Sequence, residues 1–288
     1  MNEITLKAFA KINLALDVLR KREDGYHDVR MIMQNIRLFD KITMRRTGGK
    51  DIRMESNLRF LPTDGRNLMV KAAELMRERF SLPGGLEMIL EKHIPVAAGL
   101  AGGSTDAASV LYGIDRLYGL ELSLEELMEI GLKLGADVPY CLLRKTALAE
   151  GIGEKLTVLP ACPECSVVIA KPAAGVSTRY VYENLDLTAG VVHPDIDGMI
   201  EALKNQDLKG IASRMGNVLE SVTEKACPEI ASIKGIMRGK GALNALMSGS
   251  GPTVFGIFDN WNKAEECEKA LRAAPEARMC RIVGMFQS

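Results

Sequence analysis

Two glycine-rich stretches and two isolated charges carry residue types and spacings that could do chemistry. The longer stretch is Pro95-Val-Ala-Ala-Gly99-Leu-Ala-Gly102-Gly103-Ser104-Thr105-Asp106. Its glycines remove side chains where a backbone must approach another group closely. Ser104, Thr105 and Asp106 follow, offering hydroxyls and a cap at the head of an apolar-striped segment. A helix N-terminus presents unpaired N–H groups and partial positive charge, and both suit a phosphate. The same residues also suit a plain glycine-rich turn with a Ser/Thr/Asp cap. Neither the G-x-x-x-x-G-K-[ST] of a Walker loop nor the G-x-G-x-x-G of a dinucleotide fold occurs here. The second stretch, Met247-Ser-Gly-Ser-Gly-Pro-Thr253, could line a pocket with backbone and hydroxyls, or could be a tight hairpin loop. Lys11, in Ala10-Lys11-Ile12-Asn13, reads alone as a charge at a strand entrance. Asp137, in Gly135-Ala-Asp137-Val-Pro139, reads alone as a cap or turn residue.

These residues need elements to position them. Ile12, Leu14, Leu16 and Val18 alternate with Asn13, Ala15 and Asp17, the period of a half-buried strand. Strands over 29–38 and 41–46, joined near Asp40, follow. Asn67 is placed to cap a helix carrying Leu68, Ala72, Leu75 and Met76 on one face. A strand over 86–90 leads into Pro95. The spacing of Ala107, Val110, Leu111, Ile114 and Leu117 predicts a helix from about Ser104 to Tyr118, stopped by Gly119. Ser123-Leu-Glu-Glu126 is a capping box for a helix ending at Gly135. Gly151, Gly153, Pro160 and Pro163 then mark a change of texture before Val167-Val-Ile-Ala170. The division expected is 1–155 and 156–288. The second half reads as helices near 196–205, 207–221, 228–238 and 261–273, with strands at 242–247, 253–258 and 281–285.

The 288 residues balance 37 Lys+Arg against 37 Asp+Glu, with no basic tract, which argues against nucleic acid as a partner. The start carries Glu3 and Lys7 and no apolar signal-peptide core. No uncharged apolar stretch approaches the roughly 18 residues of a membrane span. A cytoplasmic protein with no membrane partner is the expectation. The six cysteines are expected as reduced thiols. Cys162-Pro-Glu-Cys165 has half of a zinc-ribbon spacing, but no second pair completes it, and a turn between strands is the expectation.

Taken together, the Lys11 segment, the Pro95–Ala108 loop and the Ser248–Thr253 segment resemble, in order, the three motifs of the GHMP kinase superfamily. Ala10-Lys11-Ile12-Asn13-Leu14, Asp24-Gly25-Tyr26-His27 and Gly135-Ala-Asp137-Val-Pro139 are similar to one branch of it, which phosphorylates a cytidine-diphosphate derivative of methylerythritol. The likeness spans essentially the whole chain. Ala101 and Thr105 depart from the Gly and Ser more usual in the loop.

The resemblance implies an α+β, two-domain GHMP kinase fold, with a ribosomal-protein-S5-like N-terminal domain and a ferredoxin-like C-terminal domain. It implies ATP and Mg²⁺, and transfer of a γ-phosphoryl group to the substrate's 2-hydroxyl. Asp137 would be the base and Lys11 would stabilise charge on the transferred group. Pro95, Val96, Ala97, Ala98, Gly99, Leu100, Ala101, Gly102, Gly103, Ser104 and Thr105 would hold the triphosphate. Mg²⁺ would bridge phosphate oxygens near Ser104 or Thr105, with no protein metal ligand assigned. Tyr26 and His27 would grip the cytosine, Tyr182 or Tyr180 would take its other face, and Asn13 would contact the polyol. A homoserine- or mevalonate-type kinase would need no such cytosine grip. A nucleotide-binding regulator on the same scaffold would have no use for Lys11 and Asp137.

Overall fold

The computed structural model describes residues 1–188 and 190–286. They form two compact units, each gathered from separate stretches of chain. The first holds Met1–Ala10, Leu38–Val96 and Ala101–Arg144; the second holds Lys11–Arg37, Ala97–Leu100 and Lys145–Ser288. Two long strands, β1 (Glu3–Lys21) and β2 (His27–Thr47), contribute to both.

β1 differs from the half-buried strand that its alternation predicts. Every residue from Ala10 to Val18 is buried, so both faces are covered. Its polar residues survive burial because they have partners: Asn13 with Lys11, and Asp17 with His193. β2 is one strand rather than two joined near Asp40. Asp40 is no turn residue. It is fully buried, accepts from the His93 and Ile94 backbone N–H groups at 2.5 and 2.8 Å, and pairs with Lys92.

In the first unit, Lys41–Thr47 of β2 pairs antiparallel with β4 (Gly85–Glu91). β4 pairs parallel with β3 (Ile52–Ser56), and α1 (Leu68–Phe80) makes the crossover between them. Asn67 caps α1 as its position predicts, accepting from Met69 N–H at 2.9 Å. α2 (Gly102–Tyr118) packs on α1 and buries Ala107, Val110, Leu111, Ile114 and Leu117. It begins two residues before the expected Ser104, because Ala101 is the N-cap. Gly113 lets α2 lie close on β2, since a Cβ there would sit 1.8 Å from the Met44 methyl. α3 (Leu124–Leu132) opens on the complete Ser123–Glu126 capping box and stops three residues short of Gly135. α4 (Val138–Leu143) follows.

In the second unit, Val29–Met33 of β2 pairs with β5 (Ala147–Gly151), and β5 with β6 (Lys155–Val158). β7 (Ser166–Lys171), β9 (Asn244–Met247), β10 (Val254–Phe258) and β11 (Met279–Gly284) form an antiparallel sheet in the order β11-β7-β10-β9. With α9 (Glu229–Gly239) before β9 and α10 (Trp261–Ala273) before β11, this is the ferredoxin-like arrangement. Between β7 and α9 lie α5 (Thr178–Glu183), α6 (Ile196–Lys204), α7 (Leu208–Ser213), β8 (Gly216–Asn217) and α8 (Glu220–Ala226). The single helix expected over 207–221 is therefore interrupted. Gly216 and Asn217 pair instead with Ala15 and Leu16 of β1, a non-local demand that helix propensity does not reveal.

Candidate active site

The Lys11 segment and parts of both glycine stretches meet within the second unit. Lys11 and Asn13, two residues apart on β1, face the same side of the strand. The Lys11 ammonium donates to Asn13 Oδ1 at 2.8 Å, and Asn13 Nδ2 donates to Met31 Sδ at 3.2 Å. Both side chains are buried. The Lys11 backbone N–H donates to the Leu100 carbonyl at 3.2 Å, tying β1 to the first glycine stretch. Gly99 has φ +73°, and a Cβ there would lie 2.1 Å from the Ser248 carbonyl oxygen. The Ser248 hydroxyl donates to the Gly99 carbonyl at 2.9 Å. Gly249 also stands over Gly99, and a Cβ on it would lie 3.6 Å from Asn13 Oδ1. Only glycine backbone allows this approach.

Within the first stretch, Pro95 and Val96 belong to the first unit, and Ala97–Leu100 to the second. Ala98 and Leu100 are buried anchors, while Ala97 is exposed with φ +49°. Ala101 has φ +54° and provides no side-chain cap, so the expected capping by Ser104 to Asp106 is not what occurs. Thr105 and Asp106 are buried inside the first turns of α2, with the Thr105 N–H already bonded to the Ala101 carbonyl. A helix start without a side-chain cap leaves backbone N–H groups to be met by an anion. Gly102 stands against Lys92, whose Nζ would be 2.9 Å from an added Cβ. Gly103 is exposed, with Leu68 Cδ1 at 3.6 Å from its notional Cβ.

Lys92 belongs to a buried cluster that sequence reasoning missed. It pairs with both Asp40 and Asp106, the latter at 2.6 Å. One cation faces two carboxylates. Burial, with Asp40 alongside, pushes Asp106 well above the usual carboxylate range against the pull of Lys92. The cluster ties β2, the segment after β4 and the first turn of α2 together inside the first unit.

Asp137 lies in the first unit as the N-cap residue of α4, ahead of Pro139 in the helix's first turn, with no side-chain capping hydrogen bond. Of the two hydroxyls after Gly103, Ser104 is half-buried and Thr105 is 1% exposed. Among the described residues no group of three or more His, Cys, Asp or Glu could cage a metal. Cys162 and Cys165 lie in the loop between β6 and β7. A hydrogen bond with Cys162, then burial, pushes the Cys165 thiol up.

Tyr26 sits in the β1–β2 turn and is 59% exposed. Asp24 holds its backbone N–H at 3.1 Å, and Arg22 in turn pairs with Asp24. The His27 and Tyr182 rings meet at 5.0 Å between centroids and 38° between planes. Burial, then the Lys21 charge, lowers the His27 pKa from its ordinary value. Tyr182 and Tyr180 are on helix α5. Two residues apart on a helix they point to opposite sides, and Tyr182 is the one brought against His27.

Comparison with known proteins defines the class. The family model for the GHMP kinases N terminal domain matches residues 67–145, and that for the GHMP kinases C terminal matches 199–277. The chain is 57% identical over 286 residues to the 4-diphosphocytidyl-2-C-methyl-D-erythritol kinase of Lachnospira eligens, covering 99% of each protein. It is 54% identical over 288 residues to that of Lachnoclostridium phytofermentans, covering 100% of this chain and 99% of that one. A crystal structure of 4-(cytidine 5'-diphospho)-2C-methyl-D-erythritol kinase superposes with a TM-score of 0.84 at 33% identity, over 99% of this chain and 100% of that one. The chain belongs to the 4-diphosphocytidyl-2-C-methyl-D-erythritol kinase family of GHMP kinases.

Proposed function

We propose that this chain transfers the γ-phosphoryl group of ATP to the 2-hydroxyl of 4-diphosphocytidyl-2-C-methyl-D-erythritol, in non-mevalonate isoprenoid precursor synthesis. The observation that carries the reading is the contact of Lys11–Asn13, Gly99 and Ser248–Gly249. Gly99 and Ser248, 149 residues apart in the chain, are held together there by backbone too close for a side chain at Gly99.

In this reading the loop from Pro95 to Thr105 holds the triphosphate. Its backbone N–H groups at the uncapped start of α2 supply fixed partial positive charge. Lys11, oriented by Asn13, stabilises negative charge on the transferred group. Asp137, at the N-cap position of α4, takes the proton of the attacking hydroxyl. Asn13 orients the polyol. Mg²⁺ usually keeps water and phosphate oxygens as its main ligands, so it needs no cage made wholly of protein. The half-buried Ser104 hydroxyl is the protein group that would hold it. When bound, the ion neutralises charge on the phosphate oxygens.

Tyr26, His27 and Tyr182 form the cytosine grip. An imidazole kept neutral by burial keeps one donor and one acceptor nitrogen, which suits the edge of a base. The paired His27 and Tyr182 rings favour a cytidine substrate over the homoserine or mevalonate alternatives. Among the described residues no helix is long and apolar enough to cross a membrane, and a cytoplasmic enzyme acting on a small molecule is proposed. ADP release, measured in parallel with the cytidine substrate, homoserine and mevalonate, tests the assignment. Turnover confined to the cytidine substrate is expected. Turnover with homoserine or mevalonate alone would overturn the substrate, and none with any of the three would favour a regulator.

A further inference from the structure

The second glycine stretch is held by a segment that no motif includes. Asn217 is buried and is placed by the pairing of β8 with β1. Its amide nitrogen donates to the Met247 carbonyl at 2.9 Å and to the Gly249 carbonyl at 2.8 Å. Its amide oxygen accepts from the Leu219 N–H at 3.0 Å. Glu220, three residues on, accepts from the Met247 N–H at 2.7 Å and pairs with Lys234 at 2.8 Å. Thr223 donates to the Ser250 carbonyl at 3.3 Å, and the Gly251 N–H closes on the Ser248 carbonyl at 2.9 Å. The carbonyls of residues 247 to 250 are thus each held in turn. The loop needs such help because Gly249 and Gly251 both take left-handed backbone, which turns carbonyls away from regular partners.

We propose that Asn217 and Glu220 are positioning residues for the nucleotide site. They fix Ser248 and Gly249 in the orientation that grips Gly99, and through Gly99 they fix the phosphate loop. Neither side chain touches nucleotide or substrate in this account. The proposal rests on the reading above that the Pro95–Thr105 loop binds the triphosphate. An apolar side chain at 217 would leave two buried carbonyls without donors and let the loop turn.

The measurement is ATP affinity by titration calorimetry on protein whose folding is checked by thermal melting. Asn217→Ala should weaken ATP about tenfold, the equivalent of one lost buried hydrogen bond. Ser248→Ala should weaken it as well, and the double variant should be little worse than the weaker-binding single, because both act through one contact. Asn244→Ala is the control. It removes another amide-to-carbonyl bond of the same unit, to Ala212 at 2.7 Å, away from the loop. It should lose stability but not affinity. Asn217→Ala binding ATP as well as Asn244→Ala, or effects of Asn217 and Ser248 that simply add, would overturn the proposal. If Asn217→Ala does not fold, Glu220 decides: Glu220→Gln keeps an acceptor for Met247 and should lose less affinity than Glu220→Ala, and equal losses would overturn it. Wild-type protein that fails to bind ATP would sink this proposal together with the nucleotide-site reading. Wild type that binds ATP without phosphorylating the cytidine substrate would sink only the acceptor assignment.

Discussion

The contrast between Gly99 and Gly103 tests whether one loop does two separable jobs. An alanine at 99 would put its Cβ 2.1 Å from the Ser248 carbonyl oxygen, more than an ångström inside ordinary contact, and against backbone rather than a yielding side chain. It would also hold a left-handed φ of +73°, which costs a non-glycine residue about 1–2 kcal/mol. Relief of the clash breaks the Ser248-to-Gly99 hydrogen bond, worth about 0.5–1.5 kcal/mol. The sum is roughly 1.5–3.5 kcal/mol. At about 2–4 °C per kcal/mol, Gly99→Ala should melt about 3–14 °C below wild type. Gly103→Ala has no such cost. Its nearest neighbour would be Leu68 Cδ1 at 3.6 Å, its φ is not positive, and alanine suits a helix better by about 0.5–1 kcal/mol. Stability should hold or rise, while a methyl at the helix start obstructs phosphate. Loss of one charge-assisted hydrogen bond, about 1.5–3 kcal/mol, predicts about tenfold to a hundredfold weaker ATP binding. Thermal melting and ATP calorimetry on the two variants are the assay. Gly99→Ala melting with wild type would refute the close-approach argument. Gly103→Ala binding ATP at wild-type strength would refute backbone contact with phosphate there.

Asp137→Asn should leave melting and ATP affinity near wild type and cut turnover about 10²–10⁴-fold, measured by coupled ADP release; near-normal turnover removes it as the base. Tyr26→Ala should raise KM for the cytidine substrate about fivefold to a hundredfold with little change for ATP, and His27→Ala should relax discrimination against the uridine analogue. Equal wild-type kcat/KM for the two nucleotides would defeat the cytosine grip. The His27 ring should titrate below 6.5 by NMR. The unfolded chain then binds that proton more readily, so the associated stability is present above pH 6.5 and lost as pH falls below it; a midpoint at or above 6.5 contradicts the burial argument. Lys92→Met strands two buried carboxylates and should cost about 3–5 kcal/mol by denaturant unfolding, whereas Asp106→Asn, standing in for a carboxyl pushed toward its protonated form, should cost far less.

Local pattern was enough wherever local forces decide. The apolar stripe of α2, the Asn67 cap and the Ser123–Glu126 box each depend on residues within a turn or two, and each is found where its spacing puts it. The failures fall where a distant partner decides. Asp40 looks like a turn residue until Lys92, more than fifty positions on, turns it into a buried anchor and lets β2 run straight through. The 207–221 helix breaks because Asn217 is claimed by β1 on one side and the glycine stretch on the other. Two glycine stretches and a lysine could be read as one site only by resemblance, since nothing in their spacing says that Gly99 and Ser248 touch.

Ala101 shows why even a visible departure needs backbone geometry before it can be weighed. Glycine is more usual at that point of the loop, and the sequence alone suggests only an extra methyl beside the phosphate path. The structure puts the residue at φ +54°, as the N-cap of α2. Alanine there bears about 1–2 kcal/mol of left-handed strain that glycine would not. Glycine, however, frees the unfolded chain by about 0.4–1 kcal/mol. The second term offsets about half of the first, and the remaining cost of about 1 kcal/mol is small enough for an alanine to persist at a left-handed position without undoing the loop. The position where no such offset is available is Gly99. There the obstacle is the Ser248 backbone at 2.1 Å, which no change in the unfolded chain can relieve.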